Sequence, residues 1–335
     1  MCFRIIFESK QQKARMGNRQ PNPYGFNGKT TANAVVAKLG VGEEWKNRVV
    51  LITGTTHGIG WETFKAFALM PNPPTIITLN RNVDYSRTIS ADLEKNNNQL
   101  KTHHLQVDLG SRESIKNCVN EFKSLNLNLN ILLLNAGVFF RNYQVSKDGM
   151  EAHFSINHVG HFYLTNQLLE HLERGAEENF KSRVIVVASH SHYRGDINFD
   201  ELPLTEKTFG GAVSQKGYAL SKLCNVLFSN ELNRRLVAEN KPIRANSLHP
   251  ASMTYTNLGN ESSVVRSLFY VCSFFTRTVE QAAATSLYCS VSPDLENVGG
   301  KYFDECCELE ASKTAQDETI AKRLWEFTDS ICQKE

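Results

Sequence analysis

The chain has 335 residues, of which 41% are hydrophobic and 21% charged, and its formal net charge is +2. This length can hold one large α/β domain with a sizeable core, and the interspersed, nearly balanced charge excludes an electrostatic case for nucleic acid or an anionic membrane, which leaves a small molecule as the expected partner. Eight cysteines without Cys-x-x-Cys spacing disfavour a structural zinc site or a disulfide framework and indicate a reducing compartment.

The chain begins with a polar, turn-rich stretch. We interpret residues 1–45 as a partly flexible leader, with a short helix near 31–39, and residues 46–335 as the domain. The apolar patch at 3–7 is interrupted by Arg4 and is too short for a signal peptide or a membrane span. We therefore expect a soluble, cytoplasmic protein without a transmembrane segment.

The first element of the domain is a strand followed by a glycine-rich turn. The apolar run that starts at Val49 ends at Thr53, and Gly54, Gly58 and Gly60 precede an apolar pattern of helical period. Backbone N–H groups converge at such a helix N-terminus, and glycine lets a pyrophosphate approach the backbone. The stretch predicts a dinucleotide site, although tight strand-to-helix turns also use glycine for steric reasons alone.

Apolar runs and helical patterns alternate along the rest of the chain. Further strands are predicted at 75–79, 103–107, 129–134, 183–188 and 243–248, with a short strand near 301–303. Helices are predicted at 111–122, 147–172, 217–239, 279–291 and 314–331. Continuous apolar strands alternating with helices imply parallel pairing with right-handed crossovers. We expect a single α/β domain with a doubly wound, mostly parallel sheet of about seven strands and helices on both faces.

Tyr218 and Lys222 lie four residues apart on the predicted helix at 217–239, so their side chains share one face. A neighbouring ammonium favours the phenolate, and each unit by which the pKa falls corresponds to about 1.4 kcal/mol. The pair is therefore a candidate general acid/base, and Ser189 after the fifth strand is placed to bond a substrate oxygen. By itself, this spacing is also typical of a solvated helical pair.

The order of these motifs resembles that of the short-chain dehydrogenase/reductase family. A Thr-Gly-x-x-x-Gly-x-Gly turn, an Asn-Ala-Gly after the fourth strand, a serine after the fifth and a Tyr-x-x-x-Lys pair follow one another within residues 48–303. The resemblance implies a catalytic set of Asn157, Ser189, Tyr218 and Lys222. It also implies a set of cofactor contacts, which comprises Thr53, Gly54, Thr56, His57, Gly58, Ile59, Gly60, Asp108, Leu109, Asn135, Ala136, Gly137, Tyr218 and Lys222.

Within the family, the runs at 155–162, 221–232 and 299–303 and the pair Cys306-Cys307 are similar to retinol-dehydrogenase-like members. WW modules, which bind proline-rich motifs, each carry a pair of tryptophans at a set spacing. The three tryptophans of this chain are Trp45, Trp61 and Trp325, and they form no such pair in the leader. We therefore expect no partner recognition through proline motifs.

The end of the second strand bears on the choice of nicotinamide cofactor. An acidic residue there would bond the ribose 2′-hydroxyl and repel a 2′-phosphate. This chain has Asn80-Arg81 instead, and a guanidinium can bind a phosphate through two parallel N–H bonds. His57 offers a second donor. We expect NADP(H) rather than NAD(H), with the alternative that Arg81 only faces water.

One segment departs from the family pattern. After the sixth strand the family has Pro-Gly followed by a threonine that fixes the nicotinamide carboxamide, whereas this chain has Pro250-Ala251, with Met253 and Thr254 beyond them. Alanine tolerates fewer backbone conformations than glycine. All four residues are expected to contact the cofactor. The sequence leaves open which residue takes the place of the family's threonine.

An apolar segment at 264–275 lies within residues 257–278, where the family has a substrate lid. Such a lid indicates a hydrophobic carbonyl or alcohol substrate, such as a steroid, retinoid or lipid, but an apolar segment also suits peripheral contact with an organelle membrane, a partner subunit or the core. We predict an NADP(H)-dependent oxidoreductase with Tyr218 as general acid/base and no metal. The alternative is a cofactor-binding interaction or sensing module with little turnover. The resemblance also suggests a homodimer.

Overall fold

The computed structural model describes residues 19–210, 215–250 and 277–333. Its centre is a single sheet of eight strands, which are β1 (Val49–Thr53), β2 (Thr75–Asn80), β3 (Thr102–Gln106), β4 (Ile131–Leu134), β5 (Ser182–Val187), β6 (Ile243–His249), β7 (Tyr302–Asp304) and β8 (Cys307–Leu309). Their order in the sheet is β3-β2-β1-β4-β5-β6-β7-β8, and all neighbours are parallel except the antiparallel pair β7 and β8. The predicted doubly wound architecture is confirmed, with one strand more than expected.

Helices cover both faces of this sheet. They are α1 (Ala32–Leu39), α2 (Gly58–Ala68), α3 (Val83–Asn96), α4 (Arg112–Ser124), α5 (Gly160–Gly175), the short α6 (Glu206–Phe209), α7 (Lys216–Ala238), α8 (Val279–Val291) and α9 (Glu318–Gln333). Neighbouring side chains of a strand point to opposite faces. Accordingly, Val50 and Ile52 of β1 join the core beneath α1, α2 and α8, whereas Leu51 joins the core beneath α4, α5 and α7.

The predicted helix at 147–172 is wrong at its start. The backbone up to Glu151 is irregular, a π-helical turn spans Phe154–Val159, and only then does α5 begin. The wider turn accompanies a contact across the chain, because the side-chain amide of Asn157 bonds both backbone groups of Val138. The last helix also begins later than predicted, after a 3₁₀ turn at Thr314–Gln316.

The described part of the predicted leader packs on the domain. Phe26, Val35 and Trp45 are buried in the same core as β1, and the backbone N–H of Gln20 donates to the carbonyl of Glu308 on the edge strand β8. The short helix α1 is present, and Thr31 caps its N-terminus. Where the domain begins stays a prediction. Among the described helices, none combines the length and the apolar character needed to cross a bilayer.

Candidate active site

The glycine turn joins β1 to α2, and close packing requires glycine at two of its positions. Gly54 has φ of +73°, and a Cβ there would lie 2.9 Å from the Cα of Ala136. A Cβ on Gly60 would lie 2.0 Å from the carbonyl oxygen of Gly54 and 2.4 Å from Nδ2 of Asn135. Gly58, also at positive φ, is the first residue of α2. Gly54 and Gly60 are therefore required by packing within the protein, and the turn places the N-terminus of α2, where anions bind favourably, after the carboxyl end of β1.

The segment after β4 holds this turn in place. Nδ2 of Asn135 donates to the carbonyls of Thr53 (3.0 Å) and Gly54 (2.9 Å), and the backbone N–H of Ala136 donates to Oγ1 of Thr53 (2.9 Å). These bonds saturate the carbonyls at the carboxyl end of β1. Asn135 and Ala136 therefore hold the glycine turn against the segment that follows β4.

Gly60→Ala is expected to lower the free energy of unfolding by about 1–3 kcal/mol, because the added methyl would overlap the Gly54 carbonyl. Urea unfolding measures the effect. Gly137→Ala is the matched control, since its nearest neighbour would be 3.4 Å away, an ordinary contact. Equal losses in the two variants would contradict the packing argument.

The predicted adenine end of the site lies at the ends of β2 and β3. Arg81 is exposed, and its charge helps to lower the pKa of Asp108. Burial would raise that pKa, but the hydrogen bonds from Lys147 (2.9 Å) and from the backbone N–H of Gly110 outweigh it. Asn80 is buried, and its Oδ1 accepts from the backbone N–H of Thr55 (2.8 Å), a supporting role that its sequence position did not reveal.

The other predicted cofactor residues divide into three groups. Thr56 and His57 lie at the surface of the glycine turn and bond each other (3.0 Å), and Ile59 packs partly into the core. Leu109 is buried, and its carbonyl lies against Gly160. Pro250 is half-buried directly after β6, whereas Ala251, Met253, Thr254 and nearly all of the predicted lid at 257–278 fall outside the described residues.

The predicted catalytic residues come together at the carboxyl ends of β4 and β5. Ser189 follows β5 and hydrogen-bonds Tyr218 of α7. Nζ of Lys222 donates to the carbonyl of Val187 (2.9 Å) and lies 5.7 Å from the centre of the Tyr218 ring. Burial lowers the pKa of Lys222 to about 8, so that this lysine is mostly charged at neutral pH.

The expected lowering of the Tyr218 pKa by Lys222 is not what the structure shows. Burial raises the pKa of Tyr218, and the hydrogen bond with Ser189 opposes that increase. The reason is desolvation, which penalises the phenolate. Phe139 packs edge-on against the phenol ring at 5.1 Å, and the ammonium of Lys222 is directed to Val187.

Asn157 connects these elements. Its Oδ1 accepts from the backbone N–H of Val138 (2.8 Å), and its Nδ2 donates to the Val138 carbonyl (3.1 Å) and to Oγ of Ser221 (3.0 Å). Ser221 in turn donates to the Tyr218 carbonyl (2.8 Å). A Cβ on Gly137 would lie within 3.6 Å of both Asn157 Oδ1 and Lys222 Nζ, so the Asn-Ala-Gly segment adjoins the predicted catalytic residues.

An aromatic wall, which we define as Phe139, Phe140, Tyr143, His153 and Phe209, lies beside Tyr218. The ring of His153 stacks on Phe209 with centroids 6.0 Å apart. Its Nε2 accepts from the backbone N–H of Phe140 (2.8 Å), so Nδ1 carries the proton that is donated to the buried Glu151 (2.6 Å). Sequence reasoning missed this pair, because its partners are set by the fold.

A second cluster joins the loop after β5 to the ends of β6 and β7. The rings of His190 and His249 stack at 3.9 Å, and Nε2 of His190 lies 3.3 Å from Oδ2 of Asp304, which also pairs with Arg19. Burial raises the pKa of Asp304, but the bond from His190 and nearby positive charge bring it down to about 2. These side-chain types can bind metal, and in the structure the carboxylate of Asp304 is paired with Arg19.

A doubly wound sheet, a glycine turn and polar side chains gathered at the carboxyl ends of the strands are features of a dinucleotide-binding fold. The family model for short chain dehydrogenases matches residues 48–199. The chain is 34% identical to chicken WW domain-containing oxidoreductase over 339 residues, 99% of this chain and 77% of that protein. It is also 34% identical to human retinol dehydrogenase 11 over 281 residues, 84% of each chain.

The fold agrees with these similarities. A crystal structure of an uncharacterised protein from Mycobacterium paratuberculosis superimposes with a TM-score of 0.68 at 26% identity, covering 92% of this chain and 98% of that one. The protein belongs to the short-chain dehydrogenase/reductase family and is an oxidoreductase of that family, as its motifs predicted.

Proposed function

We propose that the protein is an NADP(H)-dependent oxidoreductase that transfers a hydride between nicotinamide and a hydrophobic carbonyl or alcohol. The observation that carries this proposal is the assembly of Ser189, Tyr218, Lys222 and Asn157 beside the glycine turn. Asn157 and Ser189 come from segments of the chain remote from the helix that carries Tyr218 and Lys222, and four polar side chains gathered at one place in a dinucleotide-binding fold favour chemistry there.

Each residue has a proposed task. Tyr218 gives the proton to the carbonyl oxygen, or takes it from the alcohol, and Ser189 orients that oxygen by hydrogen bonding. Lys222 supplies positive charge near the phenol as long as the pH is below its pKa of about 8. Asn157 holds the backbone at Val138 and, through Ser221, the backbone at Tyr218.

The glycine turn fits a dinucleotide. Gly54 and Gly60 pack too closely for side chains, and the first backbone N–H groups of α2 begin at Gly58. Asp108 and the Asn135-Ala136-Gly137 segment would hold the remainder of the cofactor. When bound, the nicotinamide supplies or accepts the hydride.

The preference for NADP(H) rests on Arg81. Arg81 is exposed directly after β2, where the chain has no acidic residue that would repel a 2′-phosphate. Arg81→Ala is expected to weaken NADPH binding by roughly 10- to 100-fold while NADH binding stays within about threefold, since a charged hydrogen bond contributes about 1.5–3 kcal/mol.

Cofactor fluorescence titration measures both affinities. Arg87→Ala is the control, because Arg87 is also exposed but lies one helical turn into α3, where it pairs with Asp84. A loss of NADPH affinity no larger for Arg81 than for Arg87 would remove the support for NADP(H).

The aromatic wall supports an apolar substrate. The half-buried ring of Phe139 packs against Tyr218, and the half-buried Tyr143 packs against the buried ring of Phe209. A steady-state assay that follows NADPH consumption with aromatic, polyene and aliphatic aldehydes and with steroid ketones tests the proposal. Turnover that increases with the apolar size of the substrate supports it, and turnover confined to small polar carbonyls would contradict it.

The second candidate is a cofactor-binding sensing module with little turnover. The raised pKa of Tyr218 is the observation that favours it, because a phenol that resists ionisation is a poor base at neutral pH. Tight NADPH binding without consumption on any substrate of the panel would decide for the module.

We also propose a cytoplasmic protein, on the ground that the six cysteines among the described residues are all unpaired.

A homodimer through α5 and α7 would need a face that α9 does not already cover. Trp325 of α9 packs against Phe162 of α5 at 4.8 Å and stacks on Phe228 of α7 at 5.9 Å. Any dimer would therefore use the remaining surface, and sedimentation measures its presence.

A further inference from the structure

His161 lies near the start of α5, directly after the π-helical turn that carries Asn157. Its side chain is almost completely buried, with 1% of its surface exposed. Nδ1 lies 3.1 Å from the carbonyl oxygen of Asn157, and Nε2 lies 3.0 Å from Oγ1 of Thr53. A buried imidazole with partners on both nitrogens is held in one orientation.

The tautomer of His161 follows from its partners. A carbonyl oxygen only accepts, so Nδ1 carries the proton and donates to Asn157. Nε2 then accepts the hydroxyl proton of Thr53, whose oxygen is in turn free to accept from the backbone N–H of Ala136 (2.9 Å). One chain of bonds therefore runs from the Asn-Ala-Gly segment through the end of β1 to Asn157.

This series of hydrogen bonds ends on the π-helical turn that carries Asn157. In the turn, hydrogen bonds skip one residue further than in an α-helix, as shown by the backbone N–H of Gly160, which donates to the carbonyl of Ser155. This register turns Asn157 so that its amide reaches Val138 and Ser221. The imidazole of His161 bonds the Asn157 carbonyl within this wider turn and holds it there.

We infer that His161 is a positioning residue, which holds Asn157 against the catalytic helix and ties it to the cofactor turn at Thr53. The inference rests on the proposed function, because its kinetic consequence presupposes turnover at Tyr218. The imidazole stays neutral at working pH: burial and the charge of Lys222 lower the pKa of His161, the bond to Asn157 raises it, and the result is about 4. A neutral ring keeps Nε2 available as an acceptor for Thr53.

The matched control is His158, the other buried histidine next to Asn157. Its Nε2 bonds Oγ1 of Thr328 in α9 (3.0 Å), so it connects the same turn to the C-terminal helix and not to the cofactor turn. Both rings are buried to the same extent. Substitution of either residue should cost similar stability, whereas only His161 should affect the reaction.

Three substitutions separate the contacts of His161. His161→Phe removes both bonds, His161→Asn keeps a donor near the position of Nδ1, and His161→Gln extends an amide toward Thr53. We expect His161→Phe to lower kcat roughly 10- to 100-fold, because small misplacements of catalytic groups are costly, while KM for the carbonyl changes less than about threefold. His161→Asn should recover most of the lost kcat, and His161→Gln should recover less. His158→Phe should keep kcat within about threefold of the wild type.

Two outcomes would overturn the inference. One is a kcat for His161→Phe close to that of the wild type; the other is an equal loss of kcat in His158→Phe and His161→Phe variants of equal thermal stability. Melting temperatures measured beside the kinetics separate poor folding from poor positioning.

A spectroscopic test does not depend on turnover. In ¹⁵N-resolved NMR of the wild type, His161 should be neutral with its proton on Nδ1 at pH 6. An Nε2–H tautomer or a charged ring would refute the positioning geometry, even in an active enzyme. A wild type that binds NADPH but consumes none would instead reject the proposed function, and with it the kinetic role of His161, while the Nδ1–H tautomer would still be observed.

Discussion

Replacing Tyr218 with phenylalanine is expected to lower kcat for NADPH-dependent carbonyl reduction by roughly 10²- to 10⁴-fold, the range that a positioned general acid supplies. The substitution removes one oxygen and keeps the ring that packs against Phe139. NADPH affinity and the melting temperature should therefore change little. The loss of activity is expected in kcat and not in KM. In the proposed mechanism the phenol transfers its proton during the reaction and does little to bind the substrate beforehand.

Steady-state kinetics together with NADPH titration measures this effect. Tyr143→Phe is the matched control, because it also removes a single phenol oxygen. Tyr143 belongs to the aromatic wall and packs against Phe209, but it is not the proposed proton donor. It should keep kcat within about threefold. A Tyr218→Phe enzyme that retains a tenth or more of the wild-type kcat would refute the assignment of Tyr218 as the proton donor.

Acid is expected to destabilise the protein well before its carboxylates are protonated. Burial holds the pKa of His158 at about 3 and that of His161 at about 4, far below the value of about 6.5 in an unfolded chain. Because the unfolded state binds these protons more readily, the stability due to the neutral rings is complete above pH 6.5 and is lost as the pH falls toward 4. Burial also lowers the pKa of His249, which acts in the same direction.

The size of this effect follows from linkage. Each histidine contributes a slope of about 1.4 kcal/mol per pH unit below its unfolded pKa, so His158 and His161 together should remove about 4 kcal/mol of unfolding free energy between pH 7 and pH 5. That is a large share of the stability of an ordinary domain. Asp304, with a pKa of about 2, loses its contribution only at lower pH.

Urea unfolding at pH 7 and pH 5 measures the loss. The His158→Gln variant should show a loss about 2 kcal/mol smaller than the wild type over the same interval, whatever its stability at pH 7. A wild type whose unfolding free energy changes by less than about 1 kcal/mol between these pH values would contradict the neutral state of the buried rings.

Much of the fold was predictable because its signals are local. Continuous apolar runs predicted the first six strands to within two residues at either end, and the helix at 279–291 was predicted without error. The prediction failed at the π-helical turn, whose residues have ordinary helical preferences. That turn accompanies the contact between Asn157 and Val138, which lie nineteen positions apart.

The site shows the same division. Spacing placed Tyr218 and Lys222 on one face of a helix, and their order with Ser189 indicated the family. The direction of the Lys222 ammonium toward Val187, and the rings that surround the phenol, were not readable from spacing. Consequently the sign of the Tyr218 pKa shift was predicted wrongly, because desolvation depends on every neighbour and not on the nearest charge alone.

The sequence by itself determined the architecture, the glycine turn and the family, because strand and helix periodicity, tight turns and the order of motifs are properties of neighbouring residues. Tertiary structure alone decided which side chains support the site. His161 meets Thr53 across 108 residues, and Arg19 meets Asp304 across 285. Such contacts arise when the sheet brings the carboxyl ends of its strands together, and no spacing along the chain encodes which side chains then face each other.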